Sequence, residues 1–187
     1  EIGVTLSHPH GQIYAYPFVP PRDRQMLDSA REYHERTGGS LFDDVLASEQ
    51  EEGTRIVYEG DHWLAFVPRA AKWPFEIQMY TRRRTTRLSD LTEDEKSEFA
   101  IMYLRLLKGL DAILGMQMPY IAAWHQAPVN SDGRFSRLFL EVFSLRRAPE
   151  KLKYLAGSES AAGVWINDIS PEGAAQMLRD SLAGNRP

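Results

Sequence analysis

The clearest hydrophobic pattern in the chain runs over residues 92–114 and predicts a long helix. Thr92, followed three positions later by Glu95, is the capping-box pattern that begins a helix, and Gly115 is suited to ending one. Between them the apolar residues recur at intervals of three or four, which is the spacing of one helical face. These residues are Phe99, Met102, Tyr103, Leu106, Leu107, Leu110 and Leu114. Such a stripe predicts a helix that packs on a sheet.

Shorter patterns on either side predict further helices and several strands. The 3–4 spacing of apolar residues and the Gly and Pro punctuation predict helices over residues 22–36, 41–52 and 171–182. Ser40 is placed to cap the second of these. Extended segments are predicted over residues 2–18, 55–59, 63–67, 75–81, 120–125, 134–145 and 164–169. Strands that cluster around one long helix indicate an α+β fold with an antiparallel sheet.

Composition narrows the class of protein. The chain has 187 residues, 43% of them hydrophobic and 26% charged, with a net charge of −4, which is typical of a globular domain with a core of its own. Neither the charge nor any apolar run favours nucleic-acid or membrane binding, so we expect neither as a partner. The absence of cysteine excludes disulfides and fits a cytoplasmic location. It also requires any zinc site within this chain to use His, Asp or Glu.

The candidate catalytic side chains lie in the stretch SHPHGQIYAY, at residues 7–16. In an extended segment, residues two apart point to the same side, so His8, His10 and Gln12 would share one face. Two imidazoles and an amide on one face form a small polar group that could carry chemistry. From this stretch alone, a pair of ordinary surface histidines is an equally good interpretation.

Three motifs favour a chemical role over ordinary surface histidines. The segment GVTLSHPHGQ at residues 3–12, WHQAP at 124–128 and KYLAGSE at 153–159 resemble the galactose-1-phosphate uridylyltransferases, a branch of the histidine triad superfamily, in order and spacing. The resemblance implies a histidine-triad-like antiparallel sheet with packed helices. It also implies that this is the C-terminal part of the enzyme, as a fragment or a split-gene product. Residues 1–20 would be an active-site strand segment that belongs with a missing N-terminal half, and residues 21–187 the C-terminal domain.

The resemblance implies a nucleotidyltransferase of galactose metabolism. His10 would attack the α-phosphorus of UDP-glucose, and galactose-1-phosphate would then take the uridylyl group. Imidazole suits this role because it is neutral and nucleophilic near pH 7, and a covalent intermediate divides the transfer into two easier steps.

The resemblance also implies substrate contacts and a homodimer. Gln12 would stabilise the charge on the transferred phosphate, and Gly3 lets a ligand approach the backbone. The KYLAGSE block would serve the active site of a partner subunit. At Trp165 many relatives have a glutamine contact, so no role is carried over to it. The substrate-binding residues implied are Gly3, Val4, Thr5, Gln12, Lys153, Tyr154, Ser158 and Glu159.

Two metal sites follow from the same resemblance. His8 matches a zinc ligand, but one histidine cannot hold structural zinc, so zinc would need ligands from the other half. A second site in several relatives uses a glutamate, which falls near Met26 here, and three histidines. At those positions this chain keeps only His125 and has Phe139 and Glu141. We therefore expect no second metal, or a much altered one, and a hydrogen-bonded core histidine at position 125.

Two other functions remain open. A stand-alone histidine triad hydrolase or nucleotidyltransferase usually has three alternating histidines, and Leu6 stands where the first would be. A non-catalytic half that only supports a dimer is the other alternative. Because the uridine pocket depends largely on the missing half, we expect the isolated chain to bind UDP-sugars weakly and to turn over poorly.

Overall fold

A five-stranded antiparallel sheet in the order β1-β2-β3-β5-β4 organises the fold. The structure is a computed structural model and describes residues 13–131 and 133–184. Its strands are β1 (Ile56–Glu59), β2 (Trp63–Phe66), β3 (Ile77–Thr81), β4 (Tyr120–His125) and β5 (Phe139–Ser144), and β6 (Arg146–Ala148) and β7 (Lys151–Leu152) form a separate two-stranded sheet. The helices are α1 (Pro21–Thr37), α2 (Leu41–Glu52), α3 (Glu93–Leu114) and α4 (Pro171–Gly184). The α+β prediction and all four predicted helices are confirmed.

The sheet is covered on both faces, because β2 is buried along its whole length. The larger cluster of buried side chains joins α3 and α4 to the sheet through residues such as Met102, Leu106 and Leu178. A smaller cluster includes Leu46 of α2 and Phe66 of β2. The hydrophobic stripe of the sequence therefore packs on a sheet as predicted.

Helix α3 begins at the predicted capping box. The Thr92 hydroxyl accepts a hydrogen bond from the Glu95 backbone N–H at 3.2 Å, and the Glu95 carboxylate accepts one from the Thr92 N–H at 2.8 Å. Arg83 adds an ion pair to the same carboxylate at 2.8 Å. Burial opposes ionisation of Glu95, but the hydrogen bonds from Arg83 and Thr92 outweigh it and lower its pKa. By contrast, Ser40 makes no side-chain capping bond on α2.

Three predicted extended segments differ from the structure. The strand expected over residues 134–145 begins only at Phe139, because the preceding residues bind a neighbouring loop: the Leu138 N–H donates to the Thr85 carbonyl at 2.7 Å. Residues 164–169 form no strand, since the Ile166 N–H donates to the side chain of Glu159 at 3.3 Å. The described part of the first segment, residues 13–18, is not a strand either.

Candidate functional site

The predicted site residues divide into two groups. Gly3, Val4, Thr5, His8, His10 and Gln12 lie outside the described residues. The KYLAGSE block and the histidine of WHQAP lie within them. We call residues 153–166, for which the sequence predicts substrate contacts, the substrate loop, and Arg22, Asp23, Glu76, His125 and Glu141 the charge cluster.

Lys153 is buried at the base of the substrate loop, with 8% of its surface exposed. Its ammonium group donates to the Ile166 carbonyl and, at 3.1 Å, to the Lys72 carbonyl. It also lies 3.6 Å from a carboxylate oxygen of Glu159. The ammonium group thus joins both ends of the substrate loop to a second loop around position 72.

Glu159 is the acidic counterpart within the loop. Its carboxylate accepts hydrogen bonds from the backbone N–H groups of Ala156 at 3.1 Å and Ile166 at 3.3 Å. Hydrogen bonds from backbone N–H groups, with its own foremost, and the nearby charge of Lys153 lower the pKa of Glu159. Ser158 also turns inward, because its hydroxyl donates to the Val164 carbonyl at 2.8 Å.

The substrate loop also presents an apolar surface to solvent. Tyr154 is 79% exposed, and Leu155, Val164 and Ile166 are exposed as well. The four predicted contacts in this loop therefore have different environments. Lys153, Ser158 and Glu159 bind the loop's own backbone, whereas Tyr154 projects outward.

An aromatic cluster flanks Lys153, and sequence reasoning did not connect it to the site. Trp73 stacks on Phe143 with ring centroids 4.9 Å apart and meets Trp165 edge-on at 5.1 Å. The Lys153 ammonium lies 5.9 Å from both indole rings, and that of Lys72 lies 5.4 Å from Trp165. These are cation–π distances. No local pattern connects Trp73 with Trp165, because residues some 90 positions apart in the chain show no common spacing.

The charge cluster contains two buried carboxyl groups beside one guanidinium. Glu76 and Glu141 are 2% and 1% exposed. Arg22 donates two hydrogen bonds to Glu141, at 2.6 and 2.5 Å, and Glu76 accepts from the Lys72 backbone N–H at 2.8 Å. Burial, followed by the charge of Glu141, raises the pKa of Glu76. Burial opposes ionisation of Glu141 too, but His125 and Arg22 lower its pKa.

His125 connects this cluster to α1. Its Nδ1 lies 2.8 Å from the Asp23 carboxylate, and its ring stacks on Phe139 with centroids 4.5 Å apart. Its buried Nε2 lies 3.8 Å from Glu141 and has no hydrogen-bond partner within residues 13–131 and 133–184. The structure thus places a hydrogen-bonded, buried histidine where the sequence predicted one.

The described residues do not fit a second metal ion. Within residues 13–131 and 133–184, no group of three or more His, Asp and Glu side chains could hold one. Among the described residues, His125 Nε2 is the one buried side-chain atom of the cluster that lacks a hydrogen-bond partner, whereas both oxygens of Glu141 are bound by Arg22. A bound metal would also lie beside the positive guanidinium. No step of the chemistry below is therefore assigned to a metal in this cluster.

Comparison with solved structures supports the fold assignment. The chain superposes on a uridylyltransferase structure with a TM-score of 0.91 and 35% identity, covering all of this chain and 58% of the other. A histidine triad nucleotide-binding protein from Sulfolobus tokodaii matches with a TM-score of 0.51 and 11% identity, over 70% of this chain and 84% of that one. At that identity only the fold is shared. No helix in the described part of the chain is long and apolar enough to cross a membrane.

Comparison with known sequences gives the family. The chain is 44% identical to the galactose-1-phosphate uridylyltransferase of Streptomyces lividans, over 96% of this chain and 53% of that protein. It is 36% identical to that of Thermotoga maritima, over 97% of this chain and 57% of that protein. It thus spans about half the length of these curated relatives. Residues 26–183 match the family described as galactose-1-phosphate uridyl transferase, C-terminal domain. The chain therefore belongs to the galactose-1-phosphate uridylyltransferase family, in which it corresponds to the C-terminal domain.

Proposed function

We propose that this chain is the C-terminal part of an enzyme that transfers UMP from UDP-glucose to galactose-1-phosphate. The observation that carries the proposal is the 44% identity, over 96% of the chain, to a protein of that name. An intact HPHGQ motif and an intact KYLAGSE block support a working site rather than a non-catalytic half.

The reaction proceeds in two displacements at one phosphorus atom. In the first, an imidazole nitrogen of His10 bonds to the α-phosphorus of UDP-glucose, the phosphorus–oxygen bond to the β-phosphate breaks, and glucose-1-phosphate leaves. In the second, a phosphate oxygen of galactose-1-phosphate attacks the same phosphorus, and the phosphorus–nitrogen bond breaks. UDP-galactose leaves with the uridylyl group and His10 returns to its starting form. Gln12 donates its amide hydrogens to the phosphate oxygens in both steps.

The substrate loop supplies the sugar-phosphate end of the site. The Lys153 ammonium pairs with a phosphate, and Glu159 and Ser158 accept hydrogen bonds from sugar hydroxyl groups. Tyr154, which is 79% exposed, extends toward the active site of a second copy of the enzyme. The exposed apolar side chains beside it, at Leu155, Val164 and Ile166, support a contact surface between subunits, and hence a homodimer.

The N-terminal half of such an enzyme would supply the uridine pocket and, with His8, would hold a zinc ion. At such a site zinc would have a structural role. The absence of cysteine in this chain supports a reducing compartment, and we place the enzyme in the cytoplasm.

Trapping the covalent intermediate tests this function. The complete enzyme is incubated with UDP-glucose alone, digested, and examined by mass spectrometry for a peptide that carries a UMP group. We expect the modification on His10, none in His10→Asn, and normal labelling in the matched control His62→Asn. Full turnover by His10→Asn would refute the mechanism, and labelling only by an adenylyl substrate would favour the histidine triad hydrolase.

A further inference from the structure

The charge cluster poses a physical problem that the proposed function does not explain. Two carboxyl groups, Glu76 and Glu141, are almost completely buried, and this burial, together with the charge of Glu141, raises the pKa of Glu76. Burying an ionised carboxylate is costly unless a cation or several hydrogen-bond donors compensate for it. Something in this cluster must therefore balance at least one negative charge.

Arg22 supplies that balance. Both terminal nitrogens of its guanidinium group donate to Glu141, one to each oxygen, in the bidentate geometry that gives the strongest pairs. Glu76 instead accepts hydrogen bonds from the backbone N–H groups of Lys72 and Trp73. One guanidinium thus neutralises the carboxylate of Glu141, and backbone donors compensate for the burial of Glu76.

The adjacent histidine has the surroundings of a metal ligand. A carboxylate on Nδ1 and an open Nε2 are the usual arrangement of a metal-binding histidine, and His125 has both, through Asp23. However, its Nε2 faces Glu141 at 3.8 Å, and that carboxylate is already bound by Arg22. The guanidinium of Arg22 thus neutralises the Glu141 carboxylate, as a metal ion would.

We propose that Arg22 is a built-in cation that takes the place of a metal ion in this domain. Arg22 and Asp23 are neighbours in the first turn of α1. Arg22 binds β5 through Glu141, and Asp23 binds β4 through His125. Together they fasten the beginning of α1 to the edge of the sheet formed by these strands. The domain consequently holds this helix in place without any metal of its own.

The first test is the metal content of the complete enzyme. Metal per subunit is measured for the wild type and for His125→Asn and Glu141→Gln, with His8→Asn identifying any zinc held by the other half. We expect the first two variants to keep the wild-type metal content. If either loses a metal ion that His8→Asn retains, the proposal is overturned.

The second test is the stability of α1 docking. Replacing Arg22 with Met removes the cation but keeps an extended side chain, so we expect the midpoint of thermal unfolding to fall by about 5 °C. Arg22→Lys should recover part of this loss, and the matched control Arg24→Met, which changes an exposed neighbour, should change little. An unchanged midpoint in Arg22→Met would overturn the proposal. Neither measurement depends on turnover, so failure here is distinguishable from failure of the proposed transferase function.

Discussion

Lys153 and Glu159 lie 3.6 Å apart within one loop, and both side chains bind the backbone of that same loop. The ammonium group reaches the carbonyl of Ile166, and the carboxylate reaches its N–H. Residues proposed to bind a sugar phosphate therefore also hold the loop in shape. We therefore expect a substitution in this pair to change both the proposed binding and the order of the loop, and experiments must separate the two.

Replacing Lys153 with Met should weaken hexose-phosphate binding and loosen the substrate loop. The variant loses the proposed phosphate contact and the hydrogen bonds to the carbonyls of Ile166 and Lys72. We expect the KM for galactose-1-phosphate to rise at least tenfold, because a hydrogen bond to a charged group is worth about 1.5–3 kcal/mol. Limited proteolysis should also cut the loop faster. The control is Lys151→Met, since Lys151 is exposed, and an equal effect there would contradict the assignment.

Replacing Tyr154 with Ala should affect substrate use without affecting stability. The side chain is 79% exposed, so its removal costs little folding free energy, whereas a contact with a second subunit's site would be lost. We expect an unchanged thermal midpoint and a raised KM for galactose-1-phosphate. Tyr154→Phe separates the ring from the hydroxyl. A Tyr154→Ala enzyme with wild-type kinetics would remove Tyr154 from the site.

Two leucines of α3 should differ sharply in their effect on stability. Leu106 is fully buried against the sheet, and Leu104 on the same helix is 55% exposed. Leu106→Ala should lower the free energy of unfolding by about 2–5 kcal/mol, and Leu104→Ala by less than about 1 kcal/mol. Chemical denaturation measures both. Equal losses would show that α3 does not pack as described.

The contribution of Glu95 to stability should depend on pH. Hydrogen bonds from Arg83 and Thr92 lower its pKa in the folded protein, so its stabilising effect is present above the unfolded pKa of about 4.3 and is lost as the pH falls through the lower, folded value. Gln can still accept the capping-box hydrogen bond, so Glu95→Gln mainly tests the charge.

We therefore expect Glu95→Gln to lower the free energy of unfolding by about 1 kcal/mol at pH 7, with the difference from wild type shrinking below pH ~4. Denaturation at several pH values measures this. The matched control is Glu93→Gln in the same helical turn, whose side chain is 88% exposed and should have little effect at any pH. A difference that stays constant with pH would contradict the assigned pKa shift.

The elements that depend on near neighbours were predictable from sequence. Helix α3 is an example, because its capping box joins residues three positions apart and its apolar stripe repeats every turn. A strand prediction that failed shows the limit of such local patterns. The sequence predicts a strand over residues 134–138, but Arg137 is buried and donates to the carbonyls of Thr81 and Arg82, a contact between distant residues that no local pattern indicates.

The amino-acid sequence was sufficient for the helices, the strands of the five-stranded sheet and, through its motifs, the family, since each of these depends on residues close together in the chain or on short motifs. Only the tertiary structure brought Arg22 to Glu141, across 119 positions, and Trp73 to Trp165. The charge on Glu141 and the environment of Lys153 depend on those encounters. Burial and pairing between distant residues, which no periodicity encodes, therefore decided how these groups are neutralised and surrounded.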